Sequence, residues 1–175
     1  MSDKERKIGL LMAIIVSAVM GVAASFIVVN YAIPKNASEN MPLPVMYGGN
    51  IILSVILGIL VAKFIPLGKL GGMLCAKAHV TPPSPKFFLL NAIPMAVGNT
   101  FIIGTILSCV GILISRMKMP PEVLANVPPF AVMWFGSWIK VFIPTLILSY
   151  VLSVILAPIL AKIFGVGAPP EKRGR

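Results

Sequence analysis

The 175 residues carry 58% hydrophobic and only 11% charged side chains, with a mean hydropathy of +0.97 and a formal charge of +10. A soluble core of this size could not hide so much apolar surface from water, so lipid is the expected solvent and a soluble globular domain is excluded. The positive charge raises nucleic acid as a partner, but the basic residues flank apolar segments, where anionic lipid headgroups are the expected partners.

A hydrocarbon core of about 30 Å takes roughly 20 apolar residues of helix. Four segments reach that length. The first, 8–33, follows Lys4, Arg6 and Lys7 and stops at Pro34. Its apolar run is longer than that of a secretory signal and no small-x-small site closes it, so it is expected to be retained as a span. The second, 43–65, stops at Pro66, and residues before prolines are poor helix formers. Together they form a first transmembrane hairpin, 1–65. The segment 66–86 reads as a cytoplasmic loop. Within it Gly68-Lys69-Leu70-Gly71-Gly72 lacks the spacing and strand context of a phosphate loop and reads as a flexible interfacial turn. A second hairpin, 87–164, is entered through Thr81-Pro82-Pro83-Ser84-Pro85, and its first span is 87–115. The apolar stretch from Phe130 to Phe164 is too long for one untilted span and Lys140 interrupts it, so the fourth span is expected at about 141–164, with 130–139 at the interface. A basic tail, 165–175, closes the chain.

Lys4, Arg6 and Lys7 precede the first span, and Lys63, Lys69, Lys77 and Lys86 flank or lie in the central loop. Lys162, Lys172, Arg173 and Arg175 follow the fourth span. Of the 15 Lys and Arg residues only Lys35, Arg116, Lys118 and Lys140 fall on the other side. The positive-inside rule therefore predicts both termini in the cytoplasm of a multi-pass protein of the cell membrane, with anionic headgroups as partners on that side. Cys75 and Cys109 lie on different elements, so no disulfide framework is indicated.

The halves share letters. Ser54-Val55-Ile56-Leu57, followed by Ala62-Lys63, recurs as Ser153-Val154-Ile155-Leu156, followed by Ala161-Lys162, at an offset of 99. Leu10-Leu11-x-Ala13-Ile14 recurs as Leu89-Leu90-x-Ala92-Ile93 at an offset of 79, leaving twenty extra residues in the second outer connection, around Arg116 to Ile139. The expected fold is thus an all-α integral membrane protein whose four transmembrane helices form two parallel-repeat hairpins. Small residues recur every fourth position. Ala13, Ser17, Gly21 and Ser25 correspond to Ala92, Ala96, Thr100 and Gly104; Asn50, Ser54, Gly58 and Ala62 correspond to Ser149, Ser153, Ala157 and Ala161. Such stripes let helix backbones approach closely in lipid and are the expected packing faces of a compact bundle, with some left for contacts between subunits.

Trp134-x-x-x-Trp138, followed by Pro144, Ala157-Pro158 and Lys162, resembles an uncharacterised family of small two-helix bacterial membrane proteins, a domain of unknown function. Met20-Gly21 and Val29-Asn30 are similar to that family's first helix, so the chain looks like two tandem copies, with Pro42, Pro44 and Tyr47 where the first copy would hold the tryptophans. The resemblance implies a bacterial membrane protein and no reaction, substrate or cofactor.

All five acidic residues, Asp3, Glu5, Glu39, Glu122 and Glu171, lie in tails or connections. With no carboxylate in a span, proton- or cation-coupled transport is disfavoured, and so are paired carboxylates or a catalytic triad; an enzyme is not expected. Asn50, Asn91, Asn99, Thr100 and Ser149 are the polar groups that could line a path for a small neutral or anionic solute, or else bond a neighbouring helix. Lys140 is a candidate anion or headgroup contact at the outer interface, or a lysine snorkelling beside Trp134 and Trp138. Cys75 and His79 are too few for a metal site, and the scattered methionines fit packing. No cofactor or metal is expected. Pro94, Pro144 and Pro158 fall inside spans and free backbone carbonyls there. The resulting reading is an oligomeric transporter or channel-like protein; the alternative is a non-catalytic accessory or scaffold subunit that binds lipid or another membrane protein.

Overall fold

The computed structural model describes residues 3–28, 30, 43–82 and 84–165. Among them every regular element is helical: α1 (Asp3–Ile27), α2 (Leu43–Phe64), α3 (Leu67–Lys77), α4 (Pro85–Met117), α5 (Pro121–Leu124) and α6 (Phe130–Ile163). Four of these, α1, α2, α4 and α6, are long and apolar enough to cross a membrane. Residues 31–33 of the first expected span, Lys35, Glu39 and the tail beyond Gly165 lie outside the described residues.

Local sequence sets most of the boundaries. Pro66 supplies no N–H to continue α2, which ends at Phe64. Ser84 caps α4, its side chain accepting the Phe87 N–H at 3.3 Å, and Pro85 takes the first helical position, where no N–H is needed. Pro121 opens α5 in the same way, Pro129 precedes α6, and Gly165 ends the described chain in the left-handed region.

One feature differs from the sequence expectation. Leu67–Lys77 is helical, so Gly68 to Gly72 is not a flexible turn; α3 lies along the first half of α4. The reason is close approach. Gly71 rests against the Asn91 side chain and backbone, and Gly98 of α4 receives the Leu67 side chain, contacts that a Cβ on either glycine would overlap. The helix α6 includes both the expected fourth span and the segment 130–139, running unbroken through Lys140 for 34 residues from Phe130 to Ile163. A lysine on an exposed helix face does not interrupt backbone hydrogen bonding, whereas its charge interrupts a hydropathy pattern.

The helices pair as two antiparallel hairpins, α1 with α2 and α4 with α6. Contacts of α1 with α6 and of α2 with α4 close the bundle. Ala24, Ile103, Leu107 and Val141 form a small apolar core between the hairpins, with Ile27, Val28, Leu53 and Leu57 packed on it. The outer surface inverts the pattern of a soluble protein. Ile52, Ile56 and Leu60 of α2 and Ile143, Ile147, Val151, Ile155 and Ile159 of α6 are all exposed at four-residue spacing. The same helices bury Ser54, Thr145, Ser149 and Ser153. Apolar outside and small or polar inside is the arrangement lipid favours, because alkyl chains gain nothing by leaving it.

Contacts do not place the two hairpins in one register. Across the first, Gly58 meets Ser17 and Gly21 meets Ser54. By the offsets of 79 and 99, Thr100 would then meet Ser153. Instead the neighbouring Phe101 packs on Trp138 and Phe142, so Ser153 lies roughly three turns further along α6.

Candidate functional site

The polar candidates sit on separate contacts. In the first hairpin the amide Nδ2 of Asn50 donates to Ser25 Oγ at 2.9 Å, and Ser25 Oγ donates to the Gly21 carbonyl at 2.8 Å. That chain of bonds ties α2 to α1. Thr100, fully buried in α4, directs its hydroxyl to Met20 Sδ of α1 at 4.0 Å, the reach of a weak bond to sulfur. Asn91 packs beside α3, its side chain lying against Gly71. Asn99 is 5% exposed and makes no side-chain hydrogen bond among the described residues. Ser149 is fully buried, and its Oγ, like that of Ser17, has no partner. Asn50, Thr100, Asn91 and Ser149 are therefore distributed over the α1–α2, α1–α4 and α3–α4 contacts and the buried face of α6, and among the described residues no two of the five candidates bond each other.

The groove that opens between α4 and α6, about 250 Å³ in volume, is lined by Ile93, Ala96, Val97, Leu146, Ile147 and Tyr150. None of the five polar candidates lines it. Its one hydroxyl is engaged, with Tyr150 donating to the Leu89 carbonyl at 3.4 Å.

Most of the small-residue positions are buried. Ala13, Ser17, Gly21 and Ser25 of α1 and Ser54 and Gly58 of α2 are buried, as is Ser153 of α6; Ala157 is half-buried and Ala62 exposed. A Cβ at Gly21 or Gly58 would overlap the serine opposite, so these two glycines set how closely α1 and α2 approach.

The aromatic cluster on α4 and α6 holds groups that sequence reading assigned to an interface. Trp134 Nε1 donates to Ser108 Oγ at 3.1 Å and Trp138 Nε1 to Thr105 Oγ1 at 3.0 Å. The Trp138 ring stacks on Phe142 with centroids 4.7 Å apart, and Phe101 meets it edge-on at 5.9 Å. Both indole N–H groups are thus spent between helices. Thr105 and Ser108, which receive them, are packing partners that the sequence does not mark; their only signal is their spacing on one face of α4, 26 to 33 residues from the tryptophans they bond. Arg116 is also committed, its guanidinium donating to the Pro128 carbonyl at 2.7 Å and tying the end of α4 to the chain entering α6. Lys140 is exposed.

Cys75 and His79 have backbone roles. The Val80 N–H bonds the Cys75 carbonyl and the His79 N–H the Ala76 carbonyl, while His79 takes φ 54°, a left-handed stop of the Schellman type. The Cys75 side chain is buried beneath α3, where its thiol lies 3.5 Å from the Phe87 carbonyl and burial raises its pKa above the ordinary thiol value.

Comparison with known proteins finds no match among protein-family models, curated proteins or solved structures. Fold and contacts define a class: a helical protein with four helices long and apolar enough to cross a membrane. Within that class it is a bundle with an apolar exterior, in which Asn50, Trp134 and Trp138 bond across helix contacts.

Proposed function

We propose that the protein is a non-catalytic accessory or scaffold subunit of the cell membrane, inserted with both termini in the cytoplasm and binding lipid or another membrane protein. The observation that carries this reading is the dispersal of the polar side chains: Asn50 bonds Ser25 across the α1–α2 contact, Thr100 points to Met20 across the α1–α4 contact, and Asn91 packs against Gly71 of α3. A solute path needs polar groups around one lumen; a scaffold needs them between helices. The basic ends of the helices, with Lys63, Lys69, Lys77 and Lys162 exposed, suit an anionic leaflet.

Transport of a small neutral or anionic solute by an oligomer is the second reading. It is supported by Asn99 without a hydrogen bond and by the unpartnered Ser149 hydroxyl.

Cysteine accessibility separates the two. In a variant with Cys75 and Cys109 replaced by serine, Asn50→Cys, Asn99→Cys, Thr100→Cys and Ser149→Cys are challenged in proteoliposomes with a charged, membrane-impermeant thiol reagent. A scaffold leaves all four unlabelled under conditions that label Glu122→Cys. Labelling of Asn99→Cys together with Ser149→Cys establishes a wet path and removes the scaffold reading.

A further inference from the structure

The groove between α4 and α6 has two defined ends. Toward the start of α4 the Tyr150 hydroxyl donates to the Leu89 carbonyl, and in the other direction Phe101 meets Trp138 and Phe142 edge-on. From Leu89 to Phe101 is about 18 Å of helix. That is close to half of a hydrocarbon core about 30 Å thick, so the groove matches one leaflet and not a full span. Its walls are alkyl, with Ile93, Val97 and Ile147 exposed along it. A volume of about 250 Å³ falls below the roughly 300–1,000 Å³ that encloses a drug-sized ligand, which suits a chain better than a ring system.

A charge stands at the mouth of this groove. Lys86, exposed in the first turn of α4, comes two helical turns before Ile93 and three before Val97, so the three share one side of the helix. The first turn of α4 holds no acidic residue, and the partial positive charge of the helix start adds to that of the ammonium. The headgroup layer of a leaflet is about 5–8 Å thick, and Leu89 lies about 4–5 Å along the helix from Lys86. A lipid whose phosphate sits at the Lys86 ammonium therefore enters the hydrocarbon beside Leu89, and its chain continues past Tyr150 into the groove.

Other occupants fit this shape less well. A transmembrane helix of another protein needs contact over a full span, and the rings of Phe101 and Phe142 interrupt the groove halfway. A second copy of this chain in the same orientation would bring its own basic end to Lys86, with Lys63, Lys69, Lys77 and Lys162 all exposed, and set like charges against each other. A lipid of net negative charge meets the ammonium and the alkyl walls together. Resting on the reading of the protein as a lipid-binding accessory subunit, we infer that the α4–α6 groove takes one acyl chain of an anionic phospholipid whose phosphate accepts from the Lys86 ammonium.

The test is native mass spectrometry of the full-length protein released from detergent micelles that hold phosphatidylglycerol and phosphatidylcholine of one chain length in equal amounts. Wild type is expected to retain a single phosphatidylglycerol roughly fivefold more often than a single phosphatidylcholine. Lys86→Gln makes the two equal, and Val97→Trp, which fills the groove from an exposed position, lowers retention of both. Lys162→Gln keeps the preference, since that lysine lies about 18 Å along α6 beyond Tyr150. Equal retention of the two lipids by wild type, or a preference that survives in Lys86→Gln, overturns the proposal. So does a preference lost equally in Lys162→Gln, which assigns it to the basic end at large, and so does unchanged retention in Val97→Trp, which leaves the chain outside the groove. Thiol labelling tells the two failures apart: unlabelled Asn99→Cys with no lipid preference removes the groove site alone, whereas labelled Asn99→Cys and Ser149→Cys remove the subunit role.

Discussion

At the scale of single residues, hydroxyls that look alike in the sequence have unequal value. Ser25 is a relay, accepting from Asn50 and donating to Gly21, so Ser25→Ala is expected to cost about 1 kcal/mol in detergent unfolding. Ser17 and Ser149 are equally buried but unpartnered. Exchange for alanine relieves a desolvated group without breaking a bond, so Ser17→Ala and Ser149→Ala should leave the same unfolding midpoint unchanged or raised. A fall after Ser149→Ala comparable to that of Ser25→Ala would reveal a partner for that hydroxyl. His79 carries a backbone cost, since a side chain is disfavoured at φ 54°. His79→Gly keeps the stop and removes the strain, a gain of roughly 1 kcal/mol readable as a higher melting temperature.

Among elements, α3 is the one whose placement hangs on few contacts. Leu67, Gly71 and Cys75 form its buried edge, and Gly71 is the point of closest approach to α4. Gly71→Val should therefore lift α3 from α4. The measurement is Cys75 alkylation by a maleimide, slow in wild type because the thiol is covered and its pKa raised, and at least several-fold faster in the variant; unchanged protection would mean that α3 holds without this contact. The α4–α6 pair depends on larger groups. Trp138→Phe retains the stacking on Phe142 but loses the bond to Thr105, about 1 kcal/mol, while Trp138→Ala loses the ring as well and should cost about 3–5 kcal/mol in the same unfolding assay.

For the whole molecule, the distribution of apolar surface carries the membrane reading. Leu or Val at exposed Ile147 should be tolerated, whereas Ser153→Leu, on the buried face of the same helix, should lower the yield of folded protein, because large side chains hold helices apart where no hydrophobic effect draws them together. The expected orientation is open to the same treatment: a cysteine placed after α5 should label from outside intact cells and one at Lys69 only after permeabilisation.

The sequence alone determined that four helices are long and apolar enough to cross a membrane, and several of their ends, because length, hydropathy and the prolines Pro66 and Pro85 act through neighbours along the chain. It was also enough to mark the small residues at four-residue spacing. Tertiary structure alone decided how the two hairpins meet, α1 on α6 and α2 on α4, that the central segment packs as a helix through Gly71 and Gly98, and that the tryptophan N–H groups point between helices. It likewise separated Asn50, Asn91 and Thr100 onto different contacts. The physical reason is reach. Hydropathy and helix ends are sums over adjacent residues, whereas the partner of a hydroxyl or amide is chosen by the angle at which a distant helix arrives, and the letters of either helix alone do not record that angle.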